Sequence, residues 1–99
     1  MPPLFIEPEA DSDLDAAFVW YEEQRPGLGS EFLAEVAHTL ALIEEAPERY
    51  PVLRGSTRRA LVRRFPYAVF YIVDPELIAV TAVMHGRRDP RRWQSRADA

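Results

Sequence analysis

The stretch RALVRRFPYAVFYIVDPELIAVTAVMH, Arg59 to His85, decides the fold. It divides into three runs, Arg59–Phe65, Tyr67–Val73 and Leu77–His85, each rich in Val, Ile, Phe or Tyr. Such side chains suit a pleated, half-buried backbone. The breaks are Phe65-Pro66 and Asp74-Pro75-Glu76, short enough that consecutive strands must run antiparallel. Pro51 to Ser56, just before, reads as a loop.

Further upstream the period changes. Leu14, Ala17, Phe18 and Tyr21 fall at i, i+3, i+4 and i+7, one face of a helix. Pro8 suits its first position, and Glu9, Asp11 and Asp13 favour the positive end of its dipole. Arg25-Pro26-Gly27 stops it. Ser30 is the expected cap of a second helix, whose stripe is Phe32, Val36, Leu40 and Ile43, widened by Leu33, Ala37 and Leu42. Ala46-Pro47 ends that helix. The short turn between them implies an antiparallel helical hairpin. Leu4-Phe5-Ile6 reads as a short strand, and Asp89-Pro90 opens a short C-terminal helix through Trp93 toward Arg96. The expectation is an α+β fold over residues 1–99 as one domain: a short N-terminal strand, a helical hairpin on a mainly antiparallel sheet, and a short C-terminal helix.

Alternation predicts the sheet faces. Phe70 and Ile72, with Ile78, Val80, Ala82 and Met84, are expected to meet the helices. Tyr67, Val69 and Tyr71, with Ala79, Thr81, Val83 and His85, form the other face, which is expected to lie uncovered. Arg59 and Arg63 join that face if Ala60 and Val62 point inward.

Composition narrows the class. The 47% apolar content is that of a folded protein. No apolar run has the length of a membrane span, and MPPLFIEPEA lacks the basic and apolar segments of a signal peptide. The absence of cysteine excludes disulfides and thiolate metal sites and suits a cytoplasmic protein. The net charge of −4 conceals a division: twelve of sixteen carboxylates, but only Arg25 among twelve cations, precede Arg49. Every cation is arginine, the planar fork that binds carboxylate or phosphate in pairs. A basic half on an acidic chain points to a local anion site.

The candidates for that site are Arg58, Arg59, Arg63 and Arg64 beside the first strand run, and Arg87, Arg88, Arg91, Arg92 and Arg96 in the tail. A nucleic acid or an acidic peptide would fit such a rim. Simple neutralisation by surface carboxylates would also explain it, at about 0–1 kcal/mol per exposed pair. Arg91 and Arg92 sit in the first turn of the last helix, where cations oppose the dipole. Tyr67 and Tyr71 are placed to stack or hydrogen-bond, or merely to pack. His85, at a strand end, is the candidate acid or base. His38 has no partner motif, and two separated histidines make no metal site. No cofactor motif is present. Trp93 is expected to pin the tail.

RRALVRRFPYAVFYIVD followed by IAVTAVMHGRRDPRRW resembles the RelE/ParE superfamily of toxins from bacterial type II toxin–antitoxin, or plasmid stabilisation, systems. WYEEQRPGLGSEFLAEV is similar to that superfamily's helix–turn–helix, and PERYPVL to the loop after it. The resemblance implies a cytoplasmic growth inhibitor neutralised by a cognate acidic antitoxin whose C-terminal segment wraps around it. Operator DNA would then be met only through the antitoxin. RelE-like members cleave mRNA on the ribosome; ParE-like members poison DNA gyrase. Arg87 matches a superfamily arginine that stabilises the scissile phosphate, and His85 could act beside it. Trp93 falls where RelE has a catalytic tyrosine, and Tyr67 where it has an arginine. The FPYAVFY and HGRRDP pattern leans toward the ParE-like branch. A relic that only binds an antitoxin is the third reading.

Overall fold

The computed structural model describes residues 2–98. The chain runs β1 (Leu4–Ile6), α1 (Pro8–Gln24), α2 (Leu28–Glu45), a single 3₁₀ turn (Pro47–Arg49), β2 (Val52–Arg54), β3 (Thr57–Leu61), β4 (Tyr67–Val73), β5 (Ile78–His85) and α3 (Pro90–Ala97). The sheet order is β1-β5-β4-β3-β2, with β1 parallel to β5 and the remaining pairs antiparallel. The expected α+β architecture is therefore present.

Pro8 opens α1 with Glu9 and Asp11 in its first turn. Leu14, Ala17 and Tyr21 are buried as the stripe predicts, and Phe18 is half-buried. In α2, Phe32, Val36 and Ile43 are buried, whereas Leu33 and Ala37 are exposed and do not widen the stripe. The helix also starts earlier than Ser30. Its cap is Gly27, at φ +90°, and Glu22 reaches back from α1 to accept the N–H groups of Gly27 at 3.2 Å and Gly29 at 2.8 Å. A carboxylate on the N-terminal amides satisfies two orphan donors and faces the positive dipole end. The hairpin is thus closed by a side chain seven residues upstream.

That closure leaves no room at Gly29. A Cβ there would lie 2.7 Å from the Phe18 carbonyl oxygen and 2.7 Å from Glu22 Cγ. Gly29→Ala is expected to destabilise the chain by about 1–3 kcal/mol despite alanine's better helix propensity, because a helix carbonyl cannot step aside. Urea unfolding reads this directly; a neutral or stabilising change would contradict the packing.

The sheet faces differ from the alternation reading. Val69 and Tyr71 of β4, Ile78, Val80 and Val83 of β5, and Ala60 and Val62 pack with the helices in one cluster. Ala68, Phe70, Ala82 and Met84 form a second cluster with Trp93 of α3. Phe70, Ala82 and Met84 therefore point away from the hairpin, and Val69, Tyr71 and Val83 toward it. Two physical causes explain this. The register passes from Phe70↔Ala82 to Tyr71↔Val80, so Thr81 is an extra residue that flips the phase of β5. In addition α3 covers the second face, so both faces are apolar and alternation carries little contrast.

Two boundaries also move. Pro51 to Ser56 is not all loop, because Val52–Arg54 pairs with β3 through a tight turn at Gly55, φ +58°. β3 ends at Leu61, after which Arg64, at φ +70°, turns the chain and Phe65 folds into the core. Ala60 and Val62 do point inward, as the placement of Arg59 on the opposite face requires.

Candidate functional site

The site is organised by an incomplete strand edge. β1 covers β5 only from Ile78 to Val80, so the backbone of Thr81 to His85 has no strand beside it on that side. Asp13 of α1 takes the place of a strand. Its carboxylate accepts the Val83 N–H at 3.0 Å and the Arg96 guanidinium at 2.7 Å and 3.2 Å. Arg96 in turn donates to the Thr81 carbonyl at 3.0 Å and pairs with Glu9 at 3.2 Å. The Asp13 side chain is only 5% exposed and that of Arg96 20%. The hydrogen bond to Asp13, more than the nearby charges, holds the Arg96 guanidinium above its ordinary pKa. A long-range ion pair thereby ties α1, β5 and α3 together and closes an edge that would otherwise invite pairing.

Two further contacts seat α3. The Trp93 indole stacks on Phe70, centroids 4.7 Å apart and planes 15° from parallel, and is 8% exposed. Arg54 and Asp98 form a bidentate pair at 2.8 Å and 2.9 Å across the sheet. The dipole conflict at the start of α3 is relieved locally: Arg92 lies 3.7 Å from Asp89 and 3.5 Å from Asp13. Trp93 is the anchor expected of it.

Between α1 and the connection from β5 to α3 lies a groove of about 460 Å³, lined by Trp20, Tyr67, His85, Arg88 and Arg92 and by the paired Asp13 and Arg96. His85 stands in it with Nδ1 turned back to accept the N–H groups of Arg87 at 3.2 Å and Arg88 at 3.1 Å. Those bonds need an unprotonated Nδ1, so the histidine braces its own turn and leaves Nε2 for other partners. Tyr67 lies edge-on to the His85 ring at 6.0 Å, and burial, above other causes, raises its hydroxyl pKa.

The sequence candidates thus separate. Tyr67, His85, Arg88 and Arg92 meet at the groove. Arg87 and Arg91 are exposed beside it. Arg59 lies in β3 and Arg63 in the turn that follows, and neither lines the groove. Arg64 is not a free cation, because it pairs with Glu31 at 2.8 Å and Glu35 at 3.5 Å; the Arg64 and Arg25 guanidiniums hold the Glu31 carboxyl below its ordinary pKa. Arg58 is spent on the carbonyls of Glu48 and Tyr50. Tyr71 is a correction: it is 0% exposed, donates to the Pro47 carbonyl at 2.6 Å, and has its pKa pushed up by burial to about 12. It supports the core and cannot meet a partner.

Trp20 was not singled out in the sequence, and Asp13 was read only as a partner of the α1 dipole, whereas it lies beyond the first turn and is buried. A signal existed for Asp13, which falls with Ala10 and Ala17 on the buried stripe of α1, where a carboxylate demands a partner. Trp20 gave none, since its 47% exposure follows from the fold. Among the described residues no His, Cys, Asp or Glu cluster of metal-binding kind occurs, and no helix is long and apolar enough to cross a membrane.

A helical hairpin over a β1-β5-β4-β3-β2 sheet agrees with the RelE/ParE-like architecture that the sequence resembles. Residues 4–90 match the family model described as "ParE toxin of type II toxin-antitoxin system, parDE", and the chain belongs to that family. The match ends at the first residue of α3. A solved structure described as "Chromosomal ParDE TA system from P. aeruginosa" contains a chain with the same fold, at TM-score 0.78 and 17% identity, covering 86% of this chain and 96% of that one. No curated protein matches.

Proposed function

We propose that this toxin inhibits DNA gyrase by binding it, in the cytoplasm, with the whole chain acting as one unit, and that a cognate acidic antitoxin neutralises it. The observation that carries this reading is the state of Trp93. It lies at the position where the resemblance would need an acid–base tyrosine, and it is buried in a stack with Phe70. An indole has no proton of usable acidity, and a ring held in the core does not reach a scissile phosphate. The membership in the parDE family supports the same branch. The basic turn from Arg87 to Arg92, with exposed side chains, is the surface offered to a partner.

One feature favours a second reading, ribosome-dependent mRNA cleavage. The Nε2 side of His85 is not engaged by any partner among the described residues, and Arg87 and Arg88 flank it. Induction without antitoxin separates the two. Gyrase inhibition gives DNA damage and arrested replication while translation continues at first. Rapid loss of translation with cut mRNA, abolished by His85→Ala and Arg87→Ala, would establish the nuclease instead. Unimpaired growth would leave only an antitoxin-binding relic.

A further inference from the structure

The last residue of β5 also closes the turn that follows it. The His85 carbonyl accepts the Asp89 N–H at 3.2 Å, and the His85 Nδ1 accepts the N–H groups of Arg87 at 3.2 Å and Arg88 at 3.1 Å. A side-chain acceptor that gathers backbone N–H groups just downstream is ordinarily Asn or Asp. The ring is placed for this from β4, where Tyr67 is its cross-strand partner and lies edge-on to it. Histidine brings two properties that Asn lacks. A neutral imidazole has one acceptor nitrogen and one N–H, so with Nδ1 accepting, the hydrogen sits on Nε2. Nε2 is then a donor without a lone pair, and abstracting a proton there would need the other tautomer and the loss of both bonds. A second proton can go only to Nδ1, the atom that faces the two N–H groups.

We propose that neutral His85 is the residue that positions Arg87 and Arg88, and that a proton on Nδ1 releases the turn at residues 86–88 without unfolding the domain. The surrounding charges offer no substitute for the lost bonds. The carboxylates that share the groove with the ring, Glu9 and Asp13 of α1 and Asp89 of the turn, are each paired with Arg92 or Arg96 of α3, at 2.7 Å to 3.7 Å. Arg87 and Arg88 have no carboxylate within ion-pair distance among the described residues. Tyr67 of β4, a phenol whose burial favours the neutral form, adds no charge. The domain persists because β5 stays paired with β4 and α3 stays held by the Trp93 stack and the Asp13–Arg96 pair. The brace is a property of the chain alone; only its consequence for a partner rests on the proposed function. A hydrogen bond of ordinary strength shifts such an equilibrium about threefold to tenfold, so its loss tunes what the arginines bind and does not abolish it.

The test is amide exchange of the full-length chain by NMR from about pH 8 to about pH 5, the range over which histidine changes charge. Rates are corrected for their intrinsic pH dependence, and the ring proton shifts follow His85 itself. Protection at Arg87 and Arg88 is expected at the upper end and should fall about threefold to tenfold as His85 gains its proton, while α1 and β4 keep theirs. His85→Asn puts an Oδ1 acceptor where Nδ1 stood, and an amide does not titrate, so protection should hold across the range. His85→Ala should lack it throughout. Constant protection in the unmodified chain while the ring titrates overturns the proposal. An equal loss in His85→Asn, or full protection in His85→Ala, does the same. The imidazole nitrogen shifts at the upper end check the tautomer, and a hydrogen on Nδ1 would also overturn it. None of these outcomes involves the target, so the gyrase reading stands or falls separately.

Discussion

Asp13→Ala is expected to cost about 3 kcal/mol of folding stability, near the lower end of the roughly 3–5 kcal/mol for breaking a buried ion pair. The loss has two parts. The Val83 N–H at the strand edge is left without an acceptor, and Arg96 loses its bidentate partner. The lower end applies because Arg96 is 20% exposed and retains the Thr81 carbonyl and Glu9, so its charge is not stranded. In a domain of this size such a loss lowers the melting temperature by about 12–24 °C. Asp13→Asn separates the parts. An amide oxygen still accepts from Val83 while the charge is gone, so its cost should be about half as large. Urea denaturation of the three proteins checks this. A cost under about 1 kcal/mol for Asp13→Ala would mean that water serves the edge equally well.

Trp93→Ala is expected to release α3. An eight-residue helix has no stability in isolation, so what holds it is the stack on Phe70, the Asp13–Arg96 pair and the exposed Arg54–Asp98 pair. Removing the indole uncovers Phe70, Ala82 and Met84. A tryptophan truncated in a core costs roughly 3–5 kcal/mol. Here part of that cost appears as local opening, because α3 can detach while the sheet and hairpin persist. Amide exchange should therefore become fast from Arg91 to Asp98 and change little in β3 and β4. Trp93→Phe keeps a ring over Phe70 and should retain most of the protection. Uniform loss of protection throughout the chain would show that α3 is inseparable from the core; unchanged protection would show that the stack contributes nothing.

The sequence was most informative where one periodicity dominates. The α1 stripe through Leu14, Ala17 and Tyr21, and the three strands set off by prolines, carry the order of elements and the hairpin-on-sheet layout. It was least informative where two faces are equally apolar. Phe70 and Tyr71 are both fully buried, one against Trp93 and the other against the helical hairpin, and nothing local distinguishes them. The extra residue at Thr81 also reverses the alternation within β5, and no sequence rule marks that bulge. β2 was hidden because all of its residues are exposed, so it lacks an apolar alternation. The Glu22 cap and the Asp13–Arg96 pair depend on contacts between distant elements, which spacing along the chain does not encode.

The candidate site was legible in its chemistry and not in its partition. Clustering of arginine in the second half drew attention to the turn from His85 to Arg92, which lines or borders the groove. Only the fold divides those cations by use. Arg58, Arg64 and Arg96 stabilise the molecule, Arg92 joins Asp13 to Asp89, and Arg87, Arg88 and Arg91 face outward. His85 likewise looked like a lone acid or base, whereas one of its nitrogens braces the turn that carries those arginines.

The proposed inhibition of gyrase without nuclease chemistry is measured with the purified chain freed of its antitoxin. It is added in parallel to a DNA gyrase supercoiling reaction and to translating ribosomes with a labelled mRNA. Supercoiling should be lost, restored by the antitoxin and unaffected by His85→Ala, with the mRNA left whole. Intact supercoiling together with cleaved mRNA would contradict it.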